Sequence, residues 1–198
     1  MTDKVIDKIY IVSLDWSDEH IAAIWKEIEK VGLPDGIPYE VLGIDGRALT
    51  THHMQLMGID TYKDWNLNTS DVYVNDKSNR YWQRDVTMGE VGCTLSHIAI
   101  WEDAYKNGYD NKLVFEDDFV FEKSMDWKQL DKVKSMNYDL FYLGRLLQTG
   151  FEGVVDTPID DMIWRPGYSY QTHALILSKS GIKKLVENHL PKYKTMLF

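Results

Sequence analysis

The chain has one cysteine, Cys93, among 198 residues. No intrachain disulfide can form, and nothing in the sequence calls for an oxidising compartment. Basic residues are also few: 22 Lys and Arg stand against 31 Asp and Glu, a formal net charge of −9. A chain this acidic lacks the basic stripe that long nucleic acid requires and the polybasic face that docks on an anionic membrane. No apolar run approaches the ~20 residues of a membrane span. The start, Met1-Thr2-Asp3-Lys4, is charged, and no signal-peptide run follows it. These absences predict no nucleic-acid partner, no membrane span and, by default, a cytoplasmic location. Internal repeats and low-complexity tracts are missing too. An apolar content of 44% suits a single globular domain over residues 1–198.

The most informative stretch is Leu113-Val114-Phe115-Glu116-Asp117-Asp118. Three apolar residues without alternation read as a strand buried on both faces. Desolvating unpaired charge is costly, so the three acids must sit where that strand emerges. In an open α/β sheet that edge is where ligands bind. Clustered carboxylates there suit a hard divalent cation shared with substrate phosphates. With so few Lys and Arg, a phosphate-bearing ligand has the more need of such a cation. The competing reading makes the acids turn caps or surface ion pairs.

Around this stretch the chain alternates strands and helices. Residues 9–14 read as a first strand, with Asp15 and Ser17 as helix caps. Ile21, Ile24, Trp25, Ile28 and Val31 then recur at helical spacing up to Gly32. Residues 38–44 read as a second strand, followed by the turn signal Asp45-Gly46. There Asp45 either serves the turn or presents a carboxylate near a ribose or base. A short helix over 50–57 takes Thr50 or Thr51 as cap, and its neighbouring His52 and His53 diverge and face solvent. Residues 58–88 show no period and carry Tyr62, Trp65, Tyr73, Tyr81 and Trp82. A stretch this long reads as a lid or insertion loop.

A long helix is expected from Gly89 to about Asn107, stopped by Gly108. Gly89 and Gly92 in its first turn cost about 1 kcal/mol each relative to alanine. They permit close approach of another backbone or a ligand, and the free N–H groups suit a phosphate. Ser96 and His97 lie two turns in, where His97 is either a polar group offered to a ligand or a hydrogen-bonded core residue. Cys93 reads as a small buried hydrophobe. Further on, a helix is expected from Ser124 or Asp126 to Met136, then a buried strand over 138–145 that ends on Gly144-Arg145. Arg145 there either contacts a diphosphate or pairs with an acid. Residues 148–158 read as loop, 160–165 as a short strand and 168–177 as a strand turning from polar to core. A last helix, capped by Ser178, runs to about Asn188.

Taken in order, these residues resemble glycosyltransferase family 25, which includes lipopolysaccharide and lipooligosaccharide galactosyltransferases and the procollagen galactosyltransferases. The resemblance rests on Gly89-Glu90-Val91-Gly92-Cys93 with Ser96, His97 and Trp101, on the acidic stretch 113–118, and on residues 139–145 ending in Gly144-Arg145. Tyr168-Ser169-Tyr170, Gly181 and Asp45-Gly46-Arg47 fit as well. The wording around Glu90, Glu116 and Arg145 is closer to the collagen-modifying branch.

The resemblance implies a GT-A fold, a Rossmann-like α/β/α sandwich with a mostly parallel central sheet. It implies transfer of galactose, or glucose, from a UDP-sugar such as UDP-galactose to a hydroxyl of a protein or glycan acceptor, with Mn²⁺ and inversion. Hydroxylysine of a collagen-like protein is one such acceptor. The candidate catalytic residues are then Glu116, Asp117, Asp118 and His173, with Asp118 and Glu116 as metal ligands. Ser13, Asp45, Gly46, Glu90, Gly92, Ser96, His97 and Arg145 are candidates for holding the donor. Two departures stand out. The family's arginine-rich turn after the first strand is replaced by Asp15-Trp16-Ser17-Asp18. The collagen-like branch also continues past a segment like 192–197 into an acidic Asp-Glu motif, so the chain is expected to stop short of it. The alternative function is a catalytically inactive nucleotide-sugar or glycan-binding module. A nucleotidyltransferase or phosphohydrolase metal site on a similar fold is a third reading.

Overall fold

The computed structural model describes residues 6–33, 35–57, 59, 86–121, 132–133, 135–147, 156–159, 161, 163–167 and 169–189. Most of the expected lid at 58–88, the start of the helix before Met136, most of the loop at 148–158 and the tail from 191 lie outside the described residues. The chain forms two compact units. The first comprises Met1–Ile11, Ser17–Glu40 and Asp110–Ser178, and the second comprises Val12–Trp16, Val41–Tyr109 and Lys179–Phe198.

Most of a five-stranded, mostly parallel sheet of Rossmann-like kind falls in the first unit. Its strands are β1 (Lys8–Val12), β2 (Tyr39–Leu42), β3 (Asn111–Glu116), β4 (Leu140–Leu147) and β7 (Ser169–Ser178), in the order β2-β1-β3-β7-β4. A separate hairpin pairs β5 (Thr157–Pro158) with β6 (Trp164–Arg165). The β1–β2 ladder climbs both strands together, with Ile9 N donating to Pro38 O at 2.9 Å and Ser13 N to Leu42 O at 3.2 Å, so the pair is parallel. The last strand, β7, runs antiparallel to both of its neighbours.

Leu113, Val114 and Phe115 of β3 are fully buried, as expected for a strand covered on both faces, and Ala174 to Leu177 of β7 are buried beside them. Helix α1 (Asp18–Glu29) begins at the Ser17 cap, whose side chain accepts from His20 N, and buries Ile24 and Ile28. The chain leaves it through Gly32 at φ +66°. The first strand is shorter than expected. It ends at Val12, and the next residue, Ser13, turns its hydroxyl to the backbone of Asp15 at 3.1 Å.

The second unit is held by helix α3 (Met88–Asn107), packed against the 3₁₀ turn Gly46–Ala48. Thr87 caps α3 and closes a capping box with Glu90, and Gly108 ends it in the left-handed region at φ +68°. The short helix α2 (Thr51–Leu56) is capped by Thr50. It buries Met54 beside Val91 of α3, with Leu49, Ile59, Val86, Met88, Leu95 and Ile98 packed around them. His52 and His53 are exposed, as expected. The final helix α4 (Lys179–Lys184) buries Ile182 and passes into a π turn, Leu185–His189.

One expectation fails in this unit. Cys93 is exposed, not buried. The backbone contact of α3 falls on its neighbour Gly92, and Cys93, about 100° further round the helix, stays outside that contact.

Candidate active site

The acids of the first unit gather where β3 ends. Three phenylalanines fix the turn that carries them. Phe115 and Phe119 stack with centroids 4.3 Å apart, and Phe121 meets Phe119 edge-on at 5.4 Å. Phe115 and Phe119 are buried, so the residues between them must loop out of the core, and Asp117 and Asp118 are exposed as a result. Glu116, the last residue of the strand, is half-buried.

The antiparallel register supplies the partners. Phe115 faces Ala174 on β7, and one further step puts Glu116 opposite His173. Asp118, in the turn just beyond the strand, reaches back to the same group. His173 Nδ1 lies 3.0 Å from Asp118 Oδ1 and 3.3 Å from Glu116 Oε2. The other oxygen of Glu116, Oε1, accepts a short hydrogen bond from the Thr172 hydroxyl. Asp117 points elsewhere, with Oδ2 3.6 Å from Nε2 of His20 in the first turn of α1. Two carboxylates and an imidazole thus offer ligand atoms that all lie within 4.8 Å of one another. That spread fits one coordination sphere, and a mixed carboxylate–imidazole set suits a divalent transition metal.

Sequence reasoning named Glu116, Asp117, Asp118 and His173, and the structure brings Glu116, Asp118 and His173 together. It missed Thr172 and His20. A threonine beside the candidate histidine was visible in the sequence, but no sequence signal gives the register that turns it onto Glu116. His20 could have been found only by placing the start of α1 beside the end of β3.

The donor-site candidates of the second unit are mostly engaged with their own backbone. Gly46 and Gly92 face each other. A Cβ on Gly92 would lie 2.4 Å from Ile44 O and 2.5 Å from Gly46 N, and one on Gly46 would lie 1.5 Å from Met88 O. The backbone that these glycines admit is that of the facing segment. Buried Ser96 ties the same contact together: its Oγ accepts from Ile44 N at 2.9 Å and donates to Gly92 O at 2.8 Å. His97 is buried beside it.

Asp45 caps the 3₁₀ turn and grips Arg47, accepting from its N and Nε at 2.9 Å and from its terminal nitrogen at 2.8 Å. The Arg47 side chain, more than any other group, holds the Asp45 carboxyl below its usual range. Glu90 Oε2 accepts from Thr87 N at 2.7 Å and from Thr87 Oγ1 at 2.9 Å. Buried Ser13 anchors the exposed Trp16, whose indole N–H donates to Ser13 O at 3.0 Å. Arg145 lies within β4.

No described helix is long and apolar enough to cross a membrane. A family profile described as glycosyltransferase family 25 (LPS biosynthesis protein) matches residues 6–159. The probable inactive glycosyltransferase 25 family member 3 of Bos taurus is 31% identical over 189 residues, covering 91% of this chain and 28% of that protein. The inactive glycosyltransferase 25 family member 3 of Homo sapiens is 30% identical over 195 residues, covering 91% of the chain and 28% of the relative. Procollagen galactosyltransferase 2 of Homo sapiens is 26% identical over 189 residues, covering 91% and 27%. The chain spans a little over a quarter of the length of these curated relatives. The family match runs through the strand and turn that bear the acids and through the glycine contact of α3, and on it the chain belongs to glycosyltransferase family 25.

Proposed function

We propose that the chain carries a metal-dependent, inverting hexosyltransferase site of GT-A type, moving galactose or glucose from a UDP-sugar to a hydroxyl acceptor. The observation that carries this reading is the convergence of Glu116, Asp118 and His173 at the end of β3 within a family of sugar transferases. Asp118, which is exposed, and Glu116 would hold Mn²⁺, with His173 completing the set. When bound, the cation neutralises the diphosphate that leaves with the nucleotide, a Lewis-acid role. The chain's own part is positional. Thr172 fixes one oxygen of Glu116 and leaves the other turned toward His173, and the Phe115–Phe119 stack holds the turn. The similarity to procollagen galactosyltransferase 2 makes hydroxylysine in a collagen-like protein the first acceptor to try.

Differential scanning fluorimetry with UDP and MnCl₂ tests the site. The melting temperature rises for the native chain, and the rise disappears with EDTA and in Asp118→Ala. UDP binding that survives both treatments unchanged refutes the metal assignment.

A second reading is a nucleotide-sugar-binding module without turnover, favoured by the similarity to family members described as inactive. Release of UDP from UDP-galactose, alone or with a hydroxylysine peptide, eliminates that reading. Binding without release supports it over the first.

A further inference from the structure

A concave site lies in the first unit, at the other end of β4 and β7 from the acids. It is a cavity of about 950 Å³, lined on one side by residues 136–142 and on another by residues 163–166. This volume is at the upper end of the range for small-ligand sites. One part of its lining, residues 136–142, is contiguous along the chain. Side chains on a strand leave alternately on opposite faces, so a groove that touches five successive residues, 138–142, runs along a strand's edge and not across a face. In the described sheet β4 is one of the two edge strands.

The hydrogen-bond phase shows what that edge offers. Ser178 N donates to Asp139 O at 3.1 Å, so Asp139 and Ser178 form a hydrogen-bonded pair of the antiparallel ladder. In such a ladder hydrogen-bonded and non-bonded pairs alternate. Phe141 therefore bonds toward β7, while Leu140 and Tyr142 turn their N–H and C=O groups outward, to the groove side. Across the groove stands the β5–β6 hairpin, with Trp164 half exposed at 51%. Among the described lining residues two acids, Asp139 and Asp156, stand against one base, Arg165, in a chain that is already at −9.

We propose that this groove docks an extended, lysine- or arginine-bearing peptide segment as an added strand on β4. Outward main-chain groups of Leu140 and Tyr142 supply the pairing, Trp164 and Tyr142 supply apolar walls, and the acidic lining selects cationic side chains. Strand addition of this kind takes affinity from main-chain hydrogen bonds and specificity from flanking pockets. The inference is independent of sugar transfer and of the acidic cluster.

The test is fluorescence anisotropy with a fluorescein-labelled ten-residue peptide of alternating Lys and Val. Two control peptides accompany it: one N-methylated at every second residue, which cannot pair, and one with Glu in place of Lys. The Lys peptide binds, and both controls bind at least tenfold more weakly. Leu140→Pro removes an outward N–H without touching the ladder to β7, because proline is tolerated on the open side of an edge strand. It lowers affinity about tenfold with the net charge unchanged, and Trp164→Ala, at an exposed position, does the same. Circular dichroism and melting of both variants match the native chain. Equal affinity for the Lys peptide and its N-methylated form overturns the proposal, as does native affinity in both variants, since either marks plain attraction to an acidic protein. Displacement of the peptide by neutral galacto-oligosaccharides at equal concentration overturns it too, and assigns the groove to glycans.

Discussion

Gly89 and Gly92 sit three residues apart in one helix and give opposite answers to the same substitution. A Cβ on Gly92 meets the backbone of Ile44 and Gly46 at 2.4 and 2.5 Å, where nothing flexible can yield. A Cβ on Gly89 has only Thr87 Oγ1 within reach, at an ordinary 3.8 Å. Gly92→Ala is therefore expected to destabilise the chain by about 3 kcal/mol, the upper part of the usual overpacking range. Gly89→Ala is expected to stabilise it by up to about 1 kcal/mol, through helix propensity alone. Urea titration of the two variants measures both. Equal effects of the same sign would show that the contact between α3 and the 3₁₀ turn is not as tight as described. The sequence showed that something comes close at this helix start. It could not show what, because a glycine reports the room it leaves and not its occupant. Gly92 is legible as a special residue for this reason, but its engagement with Gly46 and Ser96 is not. His173 shows the same limit from the other side. Its chemistry was visible, but its place opposite Glu116 depends on a register that no residue type encodes.

At the scale of the element, α3 shows a signal that was present and put to another use. Thr87 and Glu90 form the pattern of a capping box just before an apolar run. The sequence alone starts the helix one residue later, at Gly89, and gives Glu90 to the donor. In the structure Glu90 Oε2 accepts from both the N–H and the hydroxyl of Thr87, and Thr87 Oγ1 accepts from Glu90 N at 3.3 Å. Removing the cap with Thr87→Ala is expected to cost about 1 kcal/mol. Thr87→Ser, which keeps the acceptor, is expected to cost much less, and thermal melts of the pair give the comparison. The strands divide in the same way. β3 was legible because three apolar residues meeting three acids can end in only one manner, with the acids outside the core. The direction of β7 was not legible, since a buried apolar run reads the same for a parallel or an antiparallel strand. That direction matters to the site. Antiparallel pairing is what sets His173 across from Glu116 and sends β7 on toward Ser178 at the far end of the sheet.

For the whole molecule, the far end of the sheet sets an alkaline limit on folding. Tyr138 donates its hydroxyl to Asn111 Oδ1 at 2.7 Å, and burial pushes its pKa from 10.0 up to about 12. Between those two values the unfolded chain has given up the phenolic proton and the folded chain keeps it. The folded state then binds more protons than the unfolded one, so stability falls as pH rises. Below pH 10 both states hold the proton and the contribution is flat. Above about 12 both have lost it, and the loss is complete. The native chain is therefore expected to show a decline in unfolding free energy that begins near pH 10 and steepens toward 12. Tyr138→Phe has no proton to lose. It is expected to be somewhat less stable at neutral pH, because Asn111 loses its donor, and to have a shallower alkaline decline. Urea titrations at intervals from pH 8 to 11.5 separate the two effects. They must be followed by a probe in each compact unit, since two units need not unfold together. Parallel alkaline curves for the native chain and Tyr138→Phe would mean that the phenol is open to water in solution, and that the Tyr138 end of the sheet is less enclosed than the structure shows.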